Sequence, residues 1–304
     1  MGKYLNGYGD RHVTTYVPPG WDRWWGWQGG YNEFGDQYKV NEDGKIKTYN
    51  RNELHDTDYL SRRAEGFVRA QRDERLPWFL VVATNAPHSP VFVPNRHRNL
   101  FSKAKMPKPP SFNERDVSDK PSWVRRLPRL GSKGVSEAQK YWRERQRALQ
   151  SVDDLVGNLV ETLADTNQLK DTYVVYASDN GYILYRHRVK SKGAPYEESI
   201  GVPLIVRGPG VAHGEVRTQI VANTDWAPTI ANWAGVKPPE FVDGTSFSGA
   251  LRANPPAWRK RLLIEWFHSD RAFHGVRTSD NRTYVRYESQ ERESCMASMR
   301  TPIS

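Results

Sequence analysis

The chain has 304 residues, of which 37% are hydrophobic, so it is long enough to bury a large core as one or two domains. Its formal net charge is +10, and it contains no run of about 20 apolar residues of the kind that spans a bilayer. The single cysteine excludes an internal disulfide framework, and the first residues lack the apolar segment of a signal peptide. We therefore predict a soluble enzyme without a membrane span, and nothing in the chain as given directs its export.

The first predicted elements are a helix and a strand that ends in a polar loop. Residues 58–71 have the amphipathic pattern of a helix, and the apolar residues 79–84 are typical of a strand. The loop Asn-Ala-Pro-His-Ser-Pro follows at 85–90, where two prolines flank His88. Such prolines suit a histidine that is held in position to act as an acid, and they are equally common in plain turns.

The excess of positive charge is local to residues 101–150, which hold thirteen Lys and Arg against five Asp and Glu. The simplest interpretation is a solvated loop followed by a basic helix at 136–149. The alternative is a surface that attracts an anionic glycan through long-range electrostatic steering. We predict no nucleic-acid partner, because no recognition helix, RNA-recognition motif or zinc finger accompanies the charge.

Helix and strand patterns then alternate along the chain. A helix is predicted at 146–165, and buried strands are predicted at 172–177 and 202–206. This alternation predicts an α/β fold with a mainly parallel central sheet and helices on both faces. Ligands of such sheets lie outside the carboxyl ends of the strands, where the loops 85–90 and 178–182 begin. We therefore predict the functional site at that edge of the sheet.

The loop at 178–182 reads Ser-Asp-Asn-Gly-Tyr and contains the candidate metal ligands. Asp179 and Asn180 supply hard oxygen atoms, which suit calcium or magnesium better than zinc. The same residue types before a glycine are ideal for a tight turn. The loop by itself therefore leaves both interpretations open.

After the prolines at 238 and 239, the pattern becomes that of a small antiparallel sheet with a turn at 279–281. The predicted strands are 262–266, 273–277 and 283–287. The predicted segments of the whole chain are a first domain at 1–250, a partial antiparallel subdomain at 258–293, and an unrelated or disordered tail at 294–304.

Several motifs occur in an order that resembles one enzyme family. They are Pro-His-Ser-Pro at 87–90, Ser-Asp-Asn-Gly-Tyr at 178–182, Lys192 shortly before Pro-Tyr-Glu, and Val-Pro-Leu-Ile-Val-Arg-Gly-Pro-Gly at 202–210. This pattern resembles the formylglycine-dependent sulfatases of the alkaline-phosphatase superfamily, and most of all the N-acetylglucosamine-6-sulfatase-like arylsulfatases. The resemblance covers nearly the whole chain up to about Glu293 and implies an alkaline-phosphatase-like fold.

The resemblance also implies roles for individual residues. The implied catalytic residues are His88, Lys192 and Lys3, the implied calcium ligands are Asp179 and Asn180, and the implied substrate-binding residues are His187 and Tyr182. In this scheme His88 assists protonation of the leaving group, Lys192 binds the sulfate near the leaving oxygen, and Lys3 lies beside the nucleophile. Ile183 stands where many relatives have a histidine, which implies an altered substrate pocket.

The nucleophile of this family has no counterpart in the sequence. Sulfatases use a formylglycine made from a cysteine in a Cys-x-Pro-Ser-Arg motif near the N-terminus, and two aspartates of the first strand help to hold calcium. The only cysteine here is Cys295, whose surroundings differ from that motif. The resemblance therefore implies a product that is truncated at both ends and inactive by itself. Its complete form would hydrolyse sulfate esters of sugars or of aryl compounds.

Two other functions remain open. A non-catalytic remnant would bind a sulfated glycan and a cation through His88, Lys192 and the basic stretch at 101–150. A phosphate-ester hydrolase of the same superfamily would hold two zinc ions, although Asn180 favours the single-cation sulfatase site. Sulfatases are typically secreted, periplasmic or lysosomal, and the sequence leaves the compartment, the natural substrate and the oligomeric state of this chain open.

Overall fold

The computed structural model describes residues 1–9, 14–29, 35–74, 76–255, 257–268 and 271–288, and the backbone of residues 293–297. The chain divides into two compact units. The first unit comprises Met1–Met106 and Ser136–Lys170, and the second comprises Pro107–Val135 and Asp171–Ser304. Across the described ranges, no helix is both long and apolar enough to cross a membrane. The predicted domain boundary between residues 250 and 258 stays a prediction.

A three-stranded antiparallel sheet lies in the first unit. Its strands are β1 Trp25–Gln28, β2 Gln37–Glu42 and β3 Lys45–Asn50, in the order β1-β2-β3. A two-residue turn joins β2 to β3, and both of its residues have left-handed backbones, Asp43 with φ 49° and Gly44 with φ 88°. This conformation matches the twist of the two strands, which is why Asp-Gly is a favoured pair at a hairpin.

Helix α1, Asp56–Ala70, confirms the helix predicted at 58–71. The side chain of His55 caps its first turn by accepting a hydrogen bond from the backbone N–H of Thr57 at 3.3 Å. The buried apolar residues that recur at every fourth position are Leu60, Ala64 and Val68. This spacing gives the helix one continuous apolar stripe.

Helix α3, Ser132–Asp165, replaces the two overlapping helices predicted at 136–149 and 146–165. The predictions join into one helix of 34 residues because no proline interrupts the sequence between them. Its buried apolar residues include Ala148, Val152, Leu155 and Leu163. Leu155 belongs to the core of the first unit.

The core of the first unit is mainly aromatic. Its buried residues are Trp25, Trp27, Tyr38, Val40, Tyr59, Leu60 and Leu155. Trp24 is buried as well, and Trp21 is half-buried. The crowded tryptophans at 21–27 therefore serve mainly as core residues of this unit.

Residues 79–84, predicted as a strand, form no named strand in the part of the chain that the structure describes. Their backbone hydrogen bonds to the N-terminal residues are the Met1 amine to Val81 O at 2.6 Å, Ala83 N–H to Met1 O at 2.9 Å, and Lys3 N–H to Ala83 O at 2.9 Å. Gly2 adds isolated parallel bridges to Ala83 and Gly26. The strand prediction is wrong here because this pairing is too short for a ladder, and the Phe79 side chain stays 52% exposed.

The second unit contains strands β4, Val174–Ala177, and β5, Leu204–Arg207, close to the predicted positions. The two strands pair antiparallel, whereas the alternating pattern predicted parallel neighbours. The connection between them contains one short helix, α4 Glu197–Ile200. Parallel neighbours are usually joined by a longer crossover helix, which this connection does not contain.

A four-stranded antiparallel sheet, in the order β6-β7-β8-β9, ends the described chain. Its strands are β6 Arg261–Trp266, β7 Phe273–Thr278, β8 Arg282–Tyr287 and β9 Glu293–Ala297. The first three confirm the predicted strands, and the backbone N–H of Asn281 closes the predicted turn by donating to Thr278 O at 3.1 Å. The sequence predicted an unrelated or disordered tail at 294–304, and this stays a prediction; the backbone of residues 293–297 forms β9. Residues 298–304 lie outside the described residues.

Three further short helices belong to the second unit. They are α2 Ser122–Arg125, α5 Trp226–Trp233 and α6 Ser248–Arg252. The core of this unit joins helix α2 and the loop after β4 to the inner face of the four-stranded sheet. Its buried residues are Val117, Trp123, Val124, Ile183, Val189, Ala194, Tyr196, Phe273, Val285 and Tyr287. Ile183, at which the resemblance implied an altered substrate pocket, is a fully buried core residue.

Candidate active site

The loop after β4 presents the candidate metal ligands with a dense set of local hydrogen bonds. Asp179 Oδ1 accepts from the backbone N–H of Asn180 at 2.9 Å, and the Asn180 amide nitrogen donates to Gly181 O at 2.9 Å. The hydroxyl of Ser178 donates to Asn180 O at 2.9 Å. Asp179 is exposed and Asn180 is half-buried, so both side chains are held at the surface of the second unit.

Lys192 lies directly at this loop. Its ammonium nitrogen donates to Asn180 Oδ1 at 2.6 Å. The structure thus brings together three residues that the sequence predicted for the site, Asp179, Asn180 and Lys192. A half-buried ammonium group beside hard oxygen atoms can bind an anion and a cation next to each other.

Gly181 allows the loop of Asn180 to pack closely on helix α4. The Gly181 N–H donates to Ser199 O at 2.9 Å, and a Cβ atom at Gly181 would lie 2.1 Å from Glu198 O. The loop of Lys192 contacts the same helix, because the Gly193 N–H donates to the Ser199 hydroxyl at 3.2 Å. Both loops are therefore anchored to α4, and a side chain at position 181 has no room.

Asn223 also positions the metal loop, and sequence reasoning missed it. Its amide nitrogen donates to Ser178 O at 3.2 Å and to Asp179 O at 3.0 Å. The indole N–H of Trp226 holds the Asn223 amide oxygen at 3.3 Å. Because Asn223 and Asp179 are 44 residues apart, no local pattern links them. In the sequence, Asn223 lies two residues before the segment Asp-Trp-Ala-Pro-Thr-Ile at 225–230.

His187 is held in a polar cluster of the second unit. Its Nδ1 lies 3.0 Å from Glu114 Oε2, its Nε2 lies 3.9 Å from Glu198 Oε2, and its ring stacks on Tyr196 with centroids 4.2 Å apart. Tyr182 is half-buried earlier in the same loop. The cluster fixes the plane of the His187 ring beside two carboxylates.

The backbone around His187 is unusual. The residues with a left-handed backbone are Leu184, Tyr185, His187 and Arg188, with φ between 51° and 61°. The Arg188 guanidinium compensates by donating to three carbonyl oxygens, those of Glu114 at 2.9 Å, Arg115 at 2.7 Å and Leu127 at 3.1 Å. Strained backbone that is held so firmly is concentrated at functional sites.

His88 and Lys3 belong to the first unit, and both side chains are exposed. The His88 ring Nδ1 lies 2.6 Å from Ser89 O, and the His88 backbone N–H donates to Asn85 O at 2.7 Å. The backbone N–H of Lys3 donates to Ala83 O, so the segment that leads into the His88 loop also holds Lys3.

The candidate calcium ligands, Asp179 and Asn180, have the oxygen atoms that calcium prefers, but they are fewer than the ligands that a calcium ion takes. Carboxylate and amide oxygens are its preferred ligands, but it takes about six to eight of them. Within the described residues, no group of three or more His, Cys, Asp or Glu side chains is arranged to hold a metal ion. Asp179 and Asn180 therefore supply oxygen atoms of the kind that calcium prefers, but fewer than a calcium ion takes.

Comparison with known proteins identifies the family. The sulfatase family model matches residues 2–236. The chain belongs to the sulfatase family. A second family model, for the C-terminal region of N-sulphoglucosamine sulphohydrolase, matches residues 186–297 of this sulfatase chain and includes β9.

Named relatives place the sulfatase chain near one branch of the family. It is 33% identical over 274 residues to N-acetylglucosamine-6-sulfatase of Capra hircus, covering 87% of this chain and 48% of that protein. It is 32% identical over 279 residues to the extracellular sulfatase SULF-1 homolog of Drosophila melanogaster, covering 87% of this chain and 24% of that protein. The predicted resemblance to N-acetylglucosamine-6-sulfatases is confirmed. The chain spans about half the length of the first of these relatives and less of the second.

A solved structure confirms the fold class. This neighbour is a protein in complex with its substrate D-glucosamine-2-N,6-O-disulfate, and it superimposes with a TM-score of 0.80. The alignment covers 97% of this chain and 71% of the neighbour at 21% identity. At this level of identity the likeness shows the fold, which is the predicted alkaline-phosphatase-like α/β architecture with a C-terminal antiparallel sheet.

Proposed function

We propose that the protein containing this chain is a sulfuric ester hydrolase that acts on sulfated sugars or aryl sulfates. The observation that carries the proposal is the 2.6 Å hydrogen bond from Lys192 to Asn180 in the metal loop of a sulfatase-family chain. An ammonium group and hard oxygen ligands side by side suit a bound cation and a sulfate group together. The likeness to N-acetylglucosamine-6-sulfatase favours a 6-sulfated amino sugar as substrate.

Cleavage of a sulfate monoester leaves negative charge on the departing oxygen, so catalysis needs a cation and a proton donor there. Lys192 would supply the cation at the sulfate, and Lys3 would supply a second one. The His88 ring would supply the proton. Its Nδ1 faces the Ser89 carbonyl oxygen, which can only accept, so Nδ1 keeps its hydrogen and Nε2 is the nitrogen that exchanges a proton.

Asp179 and Asn180 would hold the calcium ion, whose charge, when bound, favours binding of the sulfate oxygens. Asn223 would keep their loop in place through its two hydrogen bonds to the loop carbonyls. His187 and Tyr182 would contact the sugar. We assign no nucleophile, because the single cysteine, Cys295, lies in β9 and no observation connects it with the site.

Turnover measurements test this proposal. We would measure release of sulfate from N-acetylglucosamine 6-sulfate and from 4-nitrophenyl sulfate, with calcium, for this chain and for any longer product of its gene. We expect hydrolysis by at least one of these proteins and its loss in Lys192→Ala, while Lys190→Ala, at an exposed position of the same loop, stays active. Zinc-dependent hydrolysis of 4-nitrophenyl phosphate without sulfatase activity would overturn the proposal.

A further inference from the structure

Helix α3 directs three arginines of the basic stretch toward carbonyl oxygens of irregular segments in the first unit. The contacts are Arg143 Nε to Ala104 O at 2.9 Å, Arg145 Nη1 to Pro87 O at 2.8 Å, and Arg147 Nε to Leu100 O at 2.7 Å. The contact of Arg145 differs from the other two in its target. It reaches the loop that carries His88, across 58 residues of sequence.

The carbonyl that Arg145 holds belongs to the peptide unit that precedes the His88 side chain. A peptide unit is planar, so its C=O and N–H groups turn together. In the peptide group between Pro87 and His88, the Pro87 oxygen accepts from Arg145, and the His88 N–H donates to Asn85 O at 2.7 Å. Both polar groups of one plane are therefore fixed, one within the loop and one from helix α3. The peptide plane that leads into His88 is thereby set relative to a long helix.

Arg145 is itself held in place. Tyr141 lies one helical turn earlier on the same face, with its ring centroid 5.6 Å from the guanidinium carbon and its hydroxyl oxygen 3.5 Å from Nη1. A guanidinium donor makes the stronger, charge-assisted kind of hydrogen bond. Tyr141 thus holds the group that supports the His88 loop.

We propose that Arg145 is a positioning residue for His88. It holds the Pro87 carbonyl so that the His88 ring keeps one orientation, with Nδ1 on the Ser89 oxygen. An acid that protonates a leaving oxygen must be aimed in this way before the substrate binds. The catalytic meaning of this role rests on the proposed function of His88, whereas the positioning itself can be measured without turnover.

Nuclear magnetic resonance of the His88 ring nitrogens tests the positioning in the chain as it exists. We expect Arg145→Met to shift both ring nitrogens toward the average of the two tautomers and to speed exchange of the His88 amide hydrogen by about tenfold. Arg147→Met, which removes an equivalent contact from the same helix, should leave both signals unchanged. Arg145→Lys keeps a donor and should restore the tautomer in part. Unchanged His88 signals in a folded Arg145→Met protein would overturn the inference, and so would equal shifts in Arg145→Met and Arg147→Met.

A kinetic comparison separates this inference from the proposed function. In a protein with measurable turnover, Arg145→Met should lower kcat and leave KM unchanged, as expected for a misdirected acid. If His88→Ala has no effect on hydrolysis while Arg145→Met still moves the ring signals, the role of His88 fails and the positioning stands. If hydrolysis needs His88 while Arg145→Met leaves the ring signals unmoved, the inference about Arg145 fails alone.

Discussion

At the scale of single residues, the two units use their charged groups differently. In the second unit, Lys192 and the metal loop present charge at the surface. In the first unit, the side chain of Glu42 is buried and accepts hydrogen bonds from Tyr49, from Tyr59 at 2.8 Å and from Arg63 at 2.9 Å. Burial alone raises its pKa, but the hydrogen bonds of Tyr49, Lys47 and Tyr59 and the charge of Arg63 outweigh burial and hold the pKa below its usual value of 4.5.

Glu42 therefore makes the stability of the fold depend on pH. We expect Glu42→Gln to lower the free energy of unfolding by about 1–3 kcal/mol at pH 7, because buried donors lose a charged partner. Because the pKa of Glu42 is lower in the folded state than in the unfolded state, its carboxylate stabilises the fold at pH values above its unfolded-state pKa. This contribution is lost as the pH falls through its folded-state pKa. Urea unfolding should show the difference from wild type shrinking below about pH 4. Glu53→Gln, at an exposed position, is the control, and equal losses in both variants would contradict the account.

At the scale of elements, the candidate site depends on loops that pack backbone against backbone. The loop at 178–182 touches the 190–198 loop and α4 so closely that Gly181 has no room for a side chain. Sequence patterns place each loop after its strand or before its helix, because those patterns are local. They do not give the contact of Asn223 with Asp179 or that of Arg145 with Pro87, since each joins residues more than 40 positions apart.

Two glycine substitutions separate this close contact from the general effect of replacing glycine. We expect Gly181→Ala to weaken both folding and sulfate binding, because its Cβ would lie 2.1 Å from Glu198 O. Gly157→Ala is the matched control, since Gly157 lies in helix α3 and its Cβ would meet nothing within 4 Å. Gly157→Ala should stabilise the chain by about 0.5–1 kcal/mol in urea unfolding. A Gly181→Ala variant as stable as wild type, with intact sulfate binding, would show that the loops have room to separate.

At the scale of the whole molecule, the sequence predicts the family and the fold class but only part of the strand pairing. The alternation along 273–287 is clear enough to place β7 and β8, because one face of each strand is buried. Residues 79–84 are more apolar than these strands, yet they pair only briefly with the first residues of the chain. Strand formation depends on the partner that the fold brings alongside, and composition does not contain that information.

The net charge of +10 acts on the whole molecule and makes its binding to polyanions depend on salt. We expect retention on heparin resin that falls as salt rises, because the Debye length is only about 10 Å at 0.1 M salt. Replacing the exposed Lys103 and Lys105 with glutamine should lower the salt needed for elution, whereas Lys192→Ala should change it little. If Lys192→Ala lowered the elution salt and the glutamine variant left it unchanged, the attraction for polyanions would lie at the candidate site rather than on the basic stretch at 101–150.

The central claim is that Lys192 and the loop of Asp179 and Asn180 form one site for a sulfate ester and a cation. Isothermal titration of N-acetylglucosamine 6-sulfate into this chain, with and without calcium, tests it most directly because binding does not require a nucleophile. We predict that calcium strengthens the binding. Lys192→Ala should weaken the binding at least tenfold, because it removes a charged hydrogen bond of about 1.5–3 kcal/mol. Lys190→Ala should leave the binding in place. Equal affinity in wild type and Lys192→Ala, or binding that calcium leaves unchanged, would contradict the account.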